Sequence, residues 1–530
     1  KIQSILENQL KLTYEDNRAG NGVCGVVIDV NNGEILAMGT YPNFDLNSPY
    51  TLVGEYKEEL VLSGYDSSSD EYKALASELL YKMWTNKTIT DTYSPGSTFK
   101  PVTTSMAFQE KVINENTMYE CKGVLNVLGN KIHCHNTKGH GKHIFSYMLQ
   151  QSCNPTMMQV AMTLGKEEFF QYFTEFGYTQ KTGIDLPGEA LGSYFAEDVF
   201  STVDLAVSSF GQGFTTTVLR QITSICAIAN GGHIVTPHIV SGLADSAGNL
   251  VVNYEYENKT QVISADVASR VTEILREGVV SGGSKNAYVA GYRVAGKTGT
   301  SEKKGVINPE TGKDDMVIGS CVAYAPAEAP EVAIIIMVDE PNPPVGTRFG
   351  GVVAAPYVAN ALEQILPYLG IEPQYNEDEM KALNFTVGNY VGNTVDKAKS
   401  TILSAGVGYE IVGNGTHVIA QVPAANEVMR KSDGKIILYT GELKYDGAGN
   451  IITDGIEIKY STVPSVVGEY TYKAISKLKE AGFNIHVTGA QNYNSGTYAS
   501  ITEQSIREGM VLPKGTVIEI NSRHLSDVED

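Results

Sequence analysis

The octapeptide "SPGSTFKP" (94–101) sets Ser97 three residues ahead of Lys100, directly after a Pro-Gly pair. On a helix, positions i and i+3 share a face, so the hydroxyl and the ammonium can meet. The Pro-Gly pair points to a helix start at Ser97, where the dipole favours a developing alkoxide or oxyanion. A lysine whose pKa is lowered by burial or by a nearby cation can accept the serine proton. Helical periodicity in "FKPVTTSMAFQEKVI" (99–113) extends the element. Taken alone, the pattern also fits a capped surface helix.

Two stretches downstream change its meaning. "QSCNP" (151–155) places Ser152 and Asn154 on either side of Cys153, which by itself fits a solvated loop. "GKTGT" (296–300) runs Lys297, Thr298, Gly299, Thr300 along what reads as a strand. A glycine inside a strand often marks the approach of a ligand to the backbone. A lysine and two threonine hydroxyls suit a substrate carboxylate. Each motif is weak alone, but the order Ser-x-x-Lys, Ser-x-Asn, Lys-Thr-Gly is a specific signature.

The chain has 530 residues, long enough for two to four domains, and 42% apolar residues supply ample core. Its formal charge of −20 argues against a nucleic-acid or anionic-membrane partner. No run of 18 or more apolar residues is present, so nothing reads as a membrane span. The opening "KIQSILENQLKLTYEDN" reads as an amphipathic helix with no initiator Met, as in a fragment whose anchor has been removed.

"GVVIDVNNGEILAMGTYP" (25–42) alternates around Asn-Asn-Gly and reads as a β-hairpin. "SADVASRVTEILREGVV" (264–280) is an amphipathic helix; "YRVAGKTGTSEKK", "MVIGSCVAYA" and "EVAIIIMVDE" are three strands; "PYVANALEQILPYLG" (356–370) is a closing helix. This order predicts an α+β domain over 21–370, whose antiparallel sheet is assembled from both chain ends and flanked by helices. Residues 1–20 read as a connecting helix and 371–383 as a polar, acidic linker. Beyond them "VGNTVDKAKSTILSAGVGYEIVG" (391–413) aligns with "VGEYTYKAISKLKEAGFNIHVTG" (467–489). Two small β/α modules follow from that repeat, over 384–445 and 460–525.

With the three motifs in this order, the sequence resembles the penicillin-binding proteins, and within them the class B transpeptidases of the division and sporulation type. "GEILAMGTYPNFDLN" (33–47), "GQGFTTTVLRQITSICAIANGG" (211–232) and "YAPAEAPEVAIIIMVDEP" (324–341) look like that family too, and the repeats resemble PASTA modules. The resemblance implies a serine D,D-transpeptidase that cross-links peptidoglycan stem peptides ending in D-Ala-D-Ala and is acylated by β-lactams. In that reading Ser97 is the nucleophile, Lys100 its base, Ser152 a proton relay and Asn154 the holder of the substrate amide. Lys297 tunes the electrostatics, Thr298 and Thr300 grip the carboxylate beside Gly299, and the amides of Ser97 and Thr300 form the oxyanion hole. It further implies the extracytoplasmic face of a Gram-positive cell membrane, an N-terminal anchor outside this fragment, and a membrane glycosyltransferase partner. Two departures stand out. The pedestal domain of class B enzymes is absent from this fragment, and the first repeat reads "FTVGNYVGN" where the second keeps a proline in "STVPSVVG". Peptidoglycan binding therefore does not carry over to either module.

Three rivals share part of this pattern. A β-lactamase has the motifs at about half this length and needs a deacylating Glu, of which the sequence offers no convincing candidate. A D,D-carboxypeptidase differs only in whether water or an amine accepts the acyl group. A non-enzymatic wall-binding or sensor scaffold tolerates loss of Lys100 or Lys297, and both are present.

The cysteines divide into two groups. Cys24, Cys226 and Cys321 lie in apolar runs and read as small buried hydrophobes. Cys121, twelve residues, Cys134, five residues, His140, twelve residues, Cys153 is a complete tetrahedral zinc set with a structural role. Some class B enzymes resembling this one carry a metal in this region. The alternatives are a Cys134–Cys153 disulfide, a different histidine (His133, His135 or His143), or three free thiols.

Overall fold

The computed structural model describes the whole chain except residues 255, 257–259, 304, 309–310, 345, 372, 432–433, 454, 490–498 and 525–530. Within the second repeat, 490–498 and 525 thus lie outside the described residues. The chain forms two compact units, one of Lys1–Val289 with Arg293–Leu369, the other of Ala290–Tyr292 with Gly370–Asp530.

The first unit is built on a five-stranded antiparallel sheet. Its strands are β1 (Val23–Asp29), β2 (Ile35–Tyr41), β3 (Ala295–Glu302), β4 (Val317–Ala325) and β5 (Val332–Asp339), in the order β3-β4-β5-β1-β2. The expected hairpin turns at Gly33, whose φ of +86° suits glycine. β1 then pairs with β5 in the register Val23↔Val338, so the two chain ends meet in the middle of the sheet, as expected. Buried on both faces, these strands are nearly continuous runs of Val, Ile and Ala.

Each face has its own helices. α1 (Ile2–Asn17) and a C-terminal helix, Ala355–Tyr368, cover one face. Leu6 and Leu10 of α1 are buried, and a methyl added to Gly25 of β1 would come within 3.1 Å of Leu6 Cδ1. Glycine in β1 therefore lets α1 lie against the sheet, so residues 1–20 are part of this unit's core and not a free connector. The other face carries a helical lobe containing α2 (Lys100–Gln109), α3 (Asn154–Leu164), α4 (Val218–Ala229) and α5 (Ala265–Val280). α5 starts at Ser264, whose hydroxyl accepts from the Val267 amide as an N-cap. The closing helix, α6, is the Ala355–Tyr368 element already described.

In the second unit the repeat becomes two copies of one pattern. A helix, α7 (Val395–Ser404) or α8 (Thr471–Glu480), packs on a three-stranded sheet. The first sheet comprises β6 (Gly408–Val412), β7 (His417–Val422) and β8 (Lys435–Gly441); the second comprises β9 (Asn484–Gly489), β10 (Ala499–Gln504) and β11 (Val517–His524). In each the last strand lies in the middle, parallel to the first and antiparallel to the second. The segment expected as a linker differs from that reading: Glu377–Leu383 is helical, started by a capping box between Asn376 and Glu379. Its acidic residues sit in a first turn, where the helix dipole favours them, and this signal is hidden by composition alone. Among the described residues no helix is long and apolar enough to cross a membrane.

Candidate active site

The three motifs converge where the helical lobe meets the edge strand β3. Ser97 sits on a 3-10 turn, Gly96–Phe99, that leads into α2, so it precedes the helix on which the pattern had placed it. Phe99 anchors this turn. It is fully buried, with ring centroids of Phe169, Phe173, Tyr178 and Phe214 at 4.9–6.2 Å. Gln221 of α4 donates to Thr98 O at 2.9 Å and accepts from Tyr178 OH at 3.0 Å. α2 itself is buried from Lys100 to Phe108, and its hydroxyls are satisfied: Thr103 donates to Ser209 O, Thr104 to Lys100 O and Ser105 to Pro101 O. Half-buried Ser97 is thus presented from a base that cannot easily move.

Ser152 follows the short helix Phe145–Gln150 in a left-handed conformation, φ +57°. That conformation costs a non-glycine residue on the order of 1–3 kcal/mol and is commonest where function needs it. The chain then turns through Cys153, the N-cap of α3, to Asn154, the first residue of that helix. The turn closes around Lys100, whose Nζ donates to Ser152 O at 2.6 Å, Ser152 Oγ at 3.1 Å and Asn154 Oδ1 at 2.7 Å.

Along β3 the two-residue period of a strand sorts the third motif. Lys297, Gly299 and Ser301 are buried toward the helical lobe, while Thr298 and Thr300 lie half-buried on the opposite face. A methyl on Gly299 would stand 2.9 Å from Pro95 O, 2.8 Å from Ser320 Oγ and 3.0 Å from Thr98 Cγ2. The glycine therefore makes room for the protein's own Pro95–Thr98 turn, an approach that its position in a strand signals without naming. Gly96 closes the same contact from the other side: at φ +57°, its added methyl would lie 2.9 Å from Thr300 O. Both threonine hydroxyls are engaged. Thr298 Oγ1 donates to Gly283 O at 3.4 Å, and Thr300 Oγ1 accepts from the Gly350 amide at 3.0 Å. Ser284 Oγ accepts from the Thr298 amide at 3.2 Å, and the Gly283 amide bonds Gln150 O at 3.0 Å. One short loop thereby ties the edge strand to the helix that presents Ser152. Phe99, Gln221 and Ser284 carry no signal in the sequence, because each acts through a long-range contact.

Electrostatics follow from burial. Lys100 is fully buried, and among the described residues it has no acidic partner. Desolvation, and then the nearby Lys297 cation, push its pKa well below the ordinary lysine value of 10.5. Lys297, also buried, is brought down to about 8 by desolvation, and its ammonium donates to Thr298 O at 2.9 Å.

Beside this wall lie Cys121, Cys134, His140 and Cys153, whose ligand atoms are all within 4.8 Å of one another. Two nested hairpins bring them together. Met118–Cys121 pairs with Gly141–Ile144, and Val124–Val127 pairs with Asn130–His133 inside it. The neighbouring Cys153 thiol, and then His135 and the Asn136 and Asn154 amides, favour the Cys134 thiolate strongly, and Cys153 is shifted the opposite way by the same pairing; Cys134 Sγ lies 3.6 Å from His140 Nδ1. Of the other histidines, His143 packs against Tyr147 with ring centroids 4.1 Å apart and planes tilted by 33°, whereas His135 Nδ1 lies 3.9 Å from Cys134 Sγ. Cys24, Cys226 and Cys321 are buried elsewhere, as their apolar surroundings imply.

Comparison with known proteins decides the family. A model of the penicillin binding protein transpeptidase domain matches residues 23–363, and a PASTA domain model matches 385–442 and 461–522. The chain belongs to the penicillin-binding-protein transpeptidase family. It is 33% identical over 451 residues to "Stage V sporulation protein D" of Bacillus subtilis, covering 83% of this chain and 64% of that protein. It is 27% identical to "Peptidoglycan D,D-transpeptidase FtsI" of Escherichia coli, covering 70% and 56%. The chain thus spans roughly three fifths of the length of these curated relatives. Among solved structures, the transpeptidase domain of Burkholderia pseudomallei penicillin-binding protein 3 superposes with a TM-score of 0.56 at 27% identity, covering 71% of this chain and 96% of that one. Penicillin-binding protein 3 of Mycobacterium tuberculosis, complexed with aztreonam, gives 0.58 at 26% identity, covering 70% and 78%.

The packing at Gly299 makes a prediction that needs no assay of turnover. Gly299→Ala forces β3 away from the Pro95–Thr98 turn, so the amides of Thr298 and Thr300 should exchange with solvent faster while the second unit is unchanged. Hydrogen exchange followed by mass spectrometry reads this; unchanged protection would show that the turn does not rest on Gly299.

Proposed function

We propose that this penicillin-binding transpeptidase is a serine D,D-transpeptidase that cross-links peptidoglycan stem peptides through an acyl-enzyme on Ser97, and that β-lactams acylate the same serine. The observation that carries the reading is the buried Lys100, bonded to both residues of Ser-x-Asn, three positions along from the serine. An amine with a depressed pKa is unprotonated often enough to take the Ser97 proton as the hydroxyl attacks the penultimate D-Ala carbonyl. The developing oxyanion falls to the amides of Ser97 and Thr300, each donor supplying about 3–4 kcal/mol of transition-state stabilisation. Ser152, bonded to Lys100, passes the proton to the leaving D-Ala amine. Asn154 holds the substrate amide, Thr298 and Thr300 the carboxylate, and the Lys297 charge favours both anions. An acceptor amine from a second stem peptide then takes the acyl group. This chemistry belongs at the extracytoplasmic face of the cell membrane of a Gram-positive bacterium, beside a membrane glycosyltransferase that supplies the glycan strands.

The Cys121, Cys134, His140 and Cys153 cluster fits a structural zinc ion, with three thiols and one imidazole close enough to share one centre. Bound there, zinc supplies no acyl-transfer chemistry; it keeps the cysteines as thiolates and joins the hairpins to the Ser152 turn. Cys153 lies between Ser152 and Asn154, so whatever holds Cys153 also sets the acceptors of the Lys100 ammonium.

Labelling with a fluorescent penicillin tests the central reading. Wild-type protein should give a stable covalent band, and Ser97→Ala, with an unchanged melting temperature, should give none. A mass adduct on the alanine variant would assign the nucleophile elsewhere.

Elemental analysis of the purified protein tests the cluster. It should find about one zinc per chain, lost in Cys153→Ser. A metal-free protein with a mass two units light under non-reducing conditions would assign the thiols to a disulfide.

A further inference from the structure

The second unit contains a cavity of about 390 Å³ where its two modules meet, a volume suited to a small ligand group. One wall is the outer face of the first module's sheet. Ile436 and Leu438 of β8 turn inward to the module core, so strand alternation sends Lys435, Ile437 and Tyr439 outward, with Glu410 and Val412 of β6 beside them. The opposite wall comes from Phe483, Asn484, Lys514 and Gly515 of the second module, and Lys459 of the connecting segment completes it.

The cavity is a built feature. Asn484, buried, accepts from the Lys435 amide at 2.8 Å and donates to Lys435 O at 2.8 Å and Gly515 O at 2.6 Å. One side-chain amide therefore pins the modules together at the cavity's edge. A methyl on Gly515 would lie 3.1 Å from Ile437 Cδ1, so glycine is needed for this close approach.

Its charge runs against the rest of the molecule. In a chain of net charge −20, four lysines (435, 459, 479 and 514) and two glutamates (410 and 457) line this space. Lys435 pairs with Glu410 at 2.9 Å. Lys459 and Lys514 lie close enough to help keep the Glu410 carboxylate ionised, after Lys435 itself, yet among the described residues neither makes an ion pair. Tyr439 lines the cavity with a relative exposure of 2%, and its hydroxyl has no hydrogen-bond partner among the described residues. An unpartnered tyrosine hydroxyl and two uncommitted ammonium groups thus border one space, beside the apolar surface of Ile437, Val412 and Phe483.

We propose that this inter-module cavity binds a phosphate group, with Lys459, Lys514 and Tyr439 as its donors. Among the described residues no arginine lines the cavity, so they offer no planar two-point fork of the kind that suits a carboxylate; lysines act as point charges that can surround a tetrahedral oxyanion. The tyrosine O–H supplies a neutral donor from the wall formed by the first module. Both modules are required, because Tyr439 belongs to the first and Lys514 to the second.

Isothermal titration calorimetry of the full chain at low ionic strength tests this. The probes are inorganic phosphate and a short polyphosphate chain, with citrate as the carboxylate control. Wild type should bind both phosphate probes in preference to citrate; much tighter binding of the chain would point to a phosphate polymer as the source, equal binding per phosphate to the free ion. Lys459→Gln/Lys514→Gln should weaken binding by roughly tenfold or more, and Tyr439→Phe should weaken it without lowering the melting temperature. Lys397→Gln, exposed on α7 away from the cavity, should leave it unchanged. Absence of binding, equal binding of citrate, or unchanged affinity in the double variant would each overturn the proposal.

Discussion

A lysine buried without a carboxylate is the constraint on which the first unit turns. Taking an ammonium out of water costs several kcal/mol unless its donors are met, and here three oxygens meet them, all from Ser152 and Asn154. None of those oxygens carries a charge, so the amine is solvated well enough to stay in place but not well enough to stay firmly protonated. The surrounding architecture serves this compromise. α2 is buried from Lys100 to Phe108, Phe99 locks the preceding turn into an aromatic cluster, and the left-handed Ser152 aims its carbonyl and hydroxyl at the same ammonium. Lys297 approaches from the edge strand and adds a second cation that disfavours protonation of the first.

The site and the sheet differ in how far the sequence reveals them. Ser97, Lys100, Ser152, Asn154 and Lys297 are legible because each motif pairs a reactive group with a partner at short spacing. The sheet is legible because buried strands are uninterrupted runs of Val and Ile, and its closure from both chain ends follows from their order. Gly299 is legible only in part, for a physical reason: a strand glycine signals close approach but does not say by what, and here Pro95 and Thr98 approach it. α1 was set apart because amphipathicity shows that a helix is half-buried without showing against which surface. The supporting contacts of Gln221, Ser284 and Gly350 leave no local pattern, since their hydrogen bonds span 123, 14 and 50 residues.

The cysteine–histidine set lies between these cases. Its spacing, twelve, five and twelve residues, is nearly symmetric, and the structure gives the reason: two nested hairpins return the chain to one end twice. Spacing alone could not choose among four histidines, but the fold brings His140 into the cluster and packs the His143 ring against Tyr147. In the second unit the helix and first strand of the repeat keep the same offset, and the variation is confined to the loops that follow. The cavity at the junction answers to no repeat motif, because a space formed between two copies is a property of neither.

The protonation of Lys100 is the quantity that bears most directly on this account. Lysine side chains labelled with 13C at Cε report it by NMR titration, with Lys100→Arg to assign the signal. The Lys100 signal should titrate well below 10.5, and Lys297→Gln, which removes the neighbouring cation, should move its midpoint upward. A midpoint near 10.5 in the wild type, or one indifferent to Lys297, would contradict the role given to burial and with it the base role proposed for Lys100.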